Sequence, residues 1–249
     1  MDRLVHSSLS ALRGAMARQA ATANNLANAN TTGFRAEISS ARALWVQGGG
    51  GAHAARAISS QEVLTADMRS GEVTETGRDL DIAIEGDALL AVQARNGEEA
   101  YTRRGDLQMA ETGLLSTGDG HPVLGEQGPI TIPPADRISI DRDGTIWIVP
   151  VGGDPNVPQM VDRLKLATPA GSPLLKGLDG LFRVPNDGAL PSDPDARLTP
   201  RSLEGSNVEA TQALVDMIEA SRAWDMQLKL ITTAREIDSS AADLMRLPS

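Results

Sequence analysis

Apolar residues fall at helical spacing at both ends of this chain and at strand spacing in the middle. Near the N-terminus Val5, Leu9, Leu12, Met16, Ala23 and Leu26 recur in steps of three and four, interrupted only by Gln19. Residues 3–30 hold no proline and only one glycine, Gly14. Such a heptad-like seam predicts a helix that packs along another helix. After Met16 the seam narrows to small residues, so it can approach a neighbour closely but buries little area. Near the C-terminus a second stripe runs Ala210, Leu214, Met217, Ser221, Trp224, Leu228 and Ile231. It then shifts by one residue to Leu230, Ala234, Ile237, Ala241 and Leu244, as a seam does when it rotates around a helix or serves two partners. Ser206 followed by Glu209 is a capping-box pattern and predicts the start of this helix near residue 206. Asp225 with Lys229 and Glu219 with Arg222 are spaced to pair along its surface. At 1.5 Å per residue such a helix is about 60 Å long, too long to bury against one small domain. It needs a partner.

Between the helical ends the periodicity drops to two. Asp81–Ile84 and Leu89–Gln93 read as short strands, and Asn96-Gly97 predicts a hairpin into Ala100–Arg103. Glu111–Leu115 and His121–Gly125 continue the pattern, and Arg137–Ile140 and Thr145–Val149 flank a second hairpin turn at Asp141–Gly144. Leu164–Ala167 and Leu181–Val184 are later strands. The expected fold is α+β. Long N- and C-terminal helices (1–34 and 205–249) form a discontinuous coiled-coil-like domain around a central irregular all-β domain (76–200). Residues 35–75, with Gly48–Gly51, read as a flexible connecting segment. An isolated alanine-rich helix is marginal in water, so the first thirty or so residues are expected to be mobile in the monomer.

Charge narrows the function. The net charge is −10, which argues against nucleic acid, whose phosphates call for a basic face. Residues 1–60 nevertheless carry six arginines against Asp2 and Glu37. No apolar run is long enough to span a bilayer. Leu4-Val5 is followed by His6 and Ser7 instead of an apolar core, so any export is expected without a removed signal. With no cysteine there is no disulfide, thiolate metal site or thiol nucleophile. His6, His53 and His121 lack zinc spacing. Asp141 and Asp143 before Gly144 lack the closing glutamate of a calcium loop and read as a turn. Acid pairs such as Glu98-Glu99 are the raw material of a glycan-cleaving or peptidoglycan-binding protein, but no acid/base constellation emerges from the spacing. The reading is of no enzyme, no cofactor and no metal.

The densest local signal is the asparagine run Asn24, Asn25, Asn28 and Asn30, closing on Thr32-Gly33-Phe34. Asparagine and glycine tolerate left-handed backbone and can simply end a helix. Amides also donate and accept, so a row of them can bond laterally to identical rows on neighbouring subunits.

The run from Asn24 to Phe34 resembles the N-terminal signature of flagellar basal-body rod and hook proteins. Leu203–Val208, Val215–Ile218, Arg222 and Lys229 resemble the matching C-terminal signature, and Leu80–Asp87 with Tyr101–Leu107 is similar to the opening of the family's β-domain. One departure is Ala88-Leu89-Leu90, where relatives carry Gly-Phe-Phe. The resemblance implies a structural subunit that leaves through the flagellar type III export apparatus and resides in the basal-body rod. Its partners would be other rod subunits and copies of itself, with no membrane insertion. It leans to the proximal rod, with a distal-rod or hook subunit as the alternative. The implied assembly surface comprises Leu9, Leu12, Met16 and Leu26 with the asparagine run and Thr32–Phe34 at one end. At the other it comprises Asn207, Val208, Leu214, Met217, Ile218, Arg222, Trp224, Leu228, Lys229 and Ile231.

Overall fold

A computed structural model of the chain describes residues 2–47, 55–177 and 179–245, without the side chains of 2–11, 39–47, 55–65, 187, 234, 238 and 241–245. Helix α1 (Asp2–Ala27) is followed by the paired strands β1 (Glu37–Gln47) and β2 (Ala55–Ala66). Then come β3 (Val73–Glu75), β4 (Ile82–Ile84), β5 (Leu89–Gln93), β6 (Glu99–Thr102), β7 (Leu107–Met109) and β8 (Leu115–Thr117). Next are β9 (Ala135–Ile140), β10 (Thr145–Pro150), β11 (Gln159–Arg163), β12 (Leu166–Ala167), β13 (Leu175–Lys176) and β14 (Phe182–Arg183). The chain closes with β15 (Leu198–Pro200), β16 (Ser202–Glu204) and helix α2 (Ala210–Met245).

The chain divides into two compact units. One takes Met1–Ala27, Glu37–Thr65 and Glu209–Ser249; the other takes Asn28–Ala36 and Ala66–Val208. In the first, α1 packs along both α2 and β1. On α1, Ala15 and Ala21 are buried, while Leu12, Gln19, Thr22 and Leu26 are half-buried. On α2, Ala213 is buried, and Met217, Ala220, Trp224, Gln227 and Ile231 are half-buried at alternating steps of four and three.

The second unit is all β. Its largest sheet runs β12-β5-β6-β14-β13, and a three-stranded sheet runs β11-β10-β9. Strand β5 is buried on both faces because side chains alternate along it. Leu90 and Val92 join a large aliphatic cluster with Ile82, Leu107, Leu115 and Ile146. Leu89 and Ala91 join a second cluster with Tyr101, Phe182 and Leu190. Leu89 and Leu90, at the departure from the family pattern, thus fill one core each. The Tyr101 hydroxyl donates to Glu99 Oε1 (2.7 Å) and accepts from the Leu190 amide (2.6 Å). Burial, chiefly, and Glu99 hold that phenol protonated well above its ordinary range.

The expected fold is corrected on its main point. The chain is mostly β, and the termini do not form a coiled-coil-like domain of two long helices. Helix α1 is only 26 residues long, and the unit that holds both helices also holds β1 and most of β2. The physical reason lies in the side chains: alanine offers little area for a helix-to-helix seam, and α1 packs along β1 as well as α2. Residues 35–75, read as a flexible connection, contain β1, β2 and β3. Gly48–Gly51 and His53 lie outside the described residues.

Candidate assembly site

The two terminal motifs become structural at the ends of the helices. Within the terminal unit, Asn24 Nδ2 donates to Glu37 Oε1 (2.7 Å). The Asn25 side chain forms a two-way amide pair with the Glu37 backbone, donating to its carbonyl (2.9 Å) and accepting its N–H (2.7 Å). The end of α1 is thereby fastened to the first residue of β1.

Within the β unit, Asn28 builds the turn that follows α1. Its carbonyl accepts the Thr31 amide (3.1 Å) and its Oδ1 accepts the Thr31 hydroxyl (3.1 Å). Gly33 then adopts φ +67° and donates its N–H to the Glu204 carbonyl (2.7 Å). A Cβ there would stand 2.5 Å from the carbonyl carbon and oxygen of Arg103. Only glycine satisfies both the dihedral and the space.

Glu204 is the hub. Its side chain, 1% exposed, accepts Arg35 Nη2 (2.7 Å), Arg103 Nε (2.9 Å) and Nη2 (2.7 Å), and the Gly71 amide (2.9 Å). Arg103 spends its other donors on the carbonyls of Ile84, Gly86 and Ala88 at 2.6–2.7 Å. Two buried guanidiniums therefore share one carboxylate. Burial pulls the Arg103 guanidinium below its ordinary range, Glu204 pulls it back, and Arg35 adds to the fall.

Asn207 ties three segments together. Its Oδ1 accepts the Ala36 amide (2.7 Å), and its Nδ2 donates to the carbonyls of Asp67 (2.8 Å) and Arg69 (2.9 Å). Its own N–H reaches the Phe34 carbonyl (3.2 Å). Lys176 Nζ lies 3.7 Å above the half-buried Phe34 ring and donates to the Arg35 carbonyl (2.9 Å). Ser206 does not cap α2, which starts at Ala210; its hydroxyl accepts the Val208 amide in a local turn (3.2 Å).

The predicted assembly residues thus fall into two groups. Asn24, Asn25, Asn28, Gly33 and Asn207 are engaged within the chain, while Thr32, Phe34 and Val208 are half-buried beside them and Asn30 is exposed. Leu12 and Leu26 on α1, and Met217, Trp224 and Ile231 on α2, are half-buried along the helices. Met16, Leu214, Ile218, Arg222, Leu228 and Lys229 are exposed. The Leu9 side chain lies outside the described ones. The spaced pairs Asp225/Lys229 and Glu219/Arg222 form no ion pair among the described residues. Arg35, Arg103, Glu204 and Glu37 were missed by the sequence reading. A buried charge has no periodicity of its own, and its partner lies up to 169 residues away.

Arg35, Arg103 and Glu204 each lie in a segment that a family model matches. The model for flagella basal body rod proteins covers residues 6–35, and that for the flagellar basal body rod FlgEFG protein C-terminal region covers 200–244. The FlgE/F/G D1 domain of the flagellar hook protein covers 83–148. The chain is 40% identical to the flagellar basal-body rod protein FlgF of Salmonella typhimurium and 39% to that of Escherichia coli. Each alignment covers 99% of this chain and all of the relative. It is 30% identical to the rod protein FlgG of Bacillus subtilis, again over 99% of this chain and all of the relative. With matched motifs at both ends, joined through one buried carboxylate, and relatives aligned end to end, the chain belongs to the flagellar basal-body rod proteins.

Proposed function

We propose that the chain is a structural, non-enzymatic subunit of the basal-body rod that joins neighbouring rod subunits through the outward faces of its terminal helices. The observation that carries this is the surface of α2. Leu214, Val215, Ile218, Met226, Leu228, Leu230 and Ile237 are between 40% and 62% exposed along one 36-residue helix, about 54 Å long. Large aliphatic side chains repeated along an exposed helix mark a surface for another protein. The asparagine run acts inside the subunit: it fixes where α1 stops and where β1 starts, and so holds the helices in a defined direction for docking. Head-to-tail contacts of this kind generate a filament in place of a closed ring.

Delivery to the rod tip is through the flagellar type III export apparatus. Position in the proximal rod is favoured by the higher identity to relatives named FlgF than to the FlgG relative above. The test is a chromosomal deletion of residues 1–27. The expected strain exports no functional subunit into basal bodies and does not swim. Normal swimming would contradict the proposal.

A further inference from the structure

Of the eight asparagines in the chain, Asn96 alone stands before a glycine. The others are followed by asparagine, leucine, alanine, threonine, aspartate or valine, whose side chains crowd the next amide. Asn96-Gly97 lies at the tip of the β5–β6 hairpin, and both residues are exposed. A Cβ added to Gly97 would meet nothing within 4 Å, so the space beside its nitrogen is open. Two main-chain bonds close the tip: the Gly97 amide donates to the Ala94 carbonyl (2.9 Å), and the Ala94 amide donates to the Glu98 carbonyl (2.9 Å). The Asn96 carboxamide folds onto its own loop. Its Oδ1 accepts the Glu98 amide (3.2 Å), and its Nδ2 donates to Glu98 Oε2. The carboxamides of Asn25 and Asn207, by contrast, fasten other segments of the chain.

We propose that Asn96 is a site of spontaneous modification, where the side-chain amide is lost through a cyclic imide and replaced by aspartate and isoaspartate. The deprotonated Gly97 nitrogen attacks Cγ of Asn96. A bond forms between that nitrogen and Cγ, the Cγ–Nδ2 bond breaks, and Nδ2 leaves as ammonia with a proton from water. Water then opens the ring. Attack at Cγ gives aspartate, and attack at the main-chain carbonyl gives isoaspartate. Water is the only co-reactant. Three features of the tip favour ring closure. Glycine, without a Cβ, permits the backbone rotation that brings its nitrogen to Cγ. The Glu98 N–H on Oδ1 draws electron density from Cγ and stabilises the oxyanion that forms there. The Ala94–Gly97 bond sits at the exposed end of the hairpin, where local opening frees the nitrogen. The product changes the turn. A carboxylate takes the place of the amide that donated to Glu98, so an attraction becomes a repulsion between like charges. Isoaspartate also lengthens the main chain of the loop by one atom, next to Glu99, which holds Tyr101 and Lys165.

The test keeps the full-length protein folded at neutral pH and in mild alkali. Peptide mapping by mass spectrometry follows each asparagine and separates the aspartate and isoaspartate forms. Position 96 should gain the mass difference between acid and amide several-fold faster than Asn156, which is also exposed but precedes valine. Both isomers should be present, and the rate should rise with pH because the attacking nitrogen must lose its proton. Asn96→Gln would have to close a larger ring and should keep its amide over the same period, with circular dichroism showing that the variant folds. Conversion at position 96 no faster than at Asn156 in the folded chain would overturn the proposal. In that case rapid conversion in urea would show that the turn locks the amide. Aspartate without isoaspartate would overturn it as well, since direct hydrolysis forms no ring.

Discussion

Glu204 shows how much of this molecule rests on single side chains. Glu204→Gln would leave two buried guanidiniums without a counter-charge, and breaking a buried pair in this way costs about 3–5 kcal/mol. Arg35→Met should cost clearly less. It leaves the Arg103–Glu204 pair neutral, and Nε and Nη1 of Arg35 make no hydrogen bond in the structure. Urea unfolding of the two variants orders them, and equal losses would contradict the shared-carboxylate account. Gly33→Ala forces a non-glycine residue into a left-handed dihedral against the Arg103 carbonyl, for about 1–3 kcal/mol or more. Asp143 offers a pH test. The Thr145 amide, first, and then its hydroxyl hold this carboxyl below its ordinary value of 3.8. Its folded pKa is depressed, so its contribution is present above pH 3.8 and fades as pH falls through the folded value. Asp143→Asn should therefore lower the melting temperature at neutral pH, and the difference should vanish in strong acid. Gly33 stood out in the sequence because its run was dense in turn formers. Glu204 did not, because nothing local distinguishes a buried glutamate from a solvated one.

At the scale of elements, legibility followed turn chemistry and the range of the pairing. Hairpins closed by tight glycine turns read well: Asn96-Gly97 joins β5 to β6 with Gly97 at φ +88°, and Asp141–Gly144 joins β9 to β10 with Gly144 at φ +86°, whereas the neighbouring strands β1 and β2 were read as a flexible connection. Strands β3, β15 and β16 were not legible. Each has three residues, Pro200 interrupts the pattern, and β16 pairs with β3 across more than a hundred residues of chain. Their stability comes from that distant partner, which no local window contains. The helices were found, but their inward faces only in part: Leu12, Leu26, Met217, Trp224 and Ile231 are half-buried, whereas Leu214 and Leu228 are exposed. The expected seam included Met16, which is 55% exposed, because the alternating small residues of α1 give two candidate stripes and composition alone cannot choose between them. In the core, Leu90→Ala should cost about 2–5 kcal/mol, since it opens a cavity in a strand covered on both faces. A change below 1 kcal/mol in chemical denaturation would show that β5 is not packed as described.

For the whole molecule, the two ends of the chain and the middle divide the work. The β unit gathers its core residues in two clusters, with exposed apolar side chains such as Val151 and Met160 scattered over separate strands and loops, whereas the helix that closes the terminal unit displays leucine, isoleucine and methionine along one length. Function was legible because the motifs at both ends are specific and in order. Of the asparagines that carry the signature, Asn24, Asn25 and Asn28 bond within the chain and Asn30 is exposed, a division that no local pattern announces. The most direct test replaces outward α2 residues that the folded subunit does not need. Ile218→Glu with Leu228→Glu should melt within a few degrees of the parent protein yet be absent from purified basal bodies, with swimming lost. Wild-type amounts of the doubly substituted subunit in basal bodies would contradict assembly through this face.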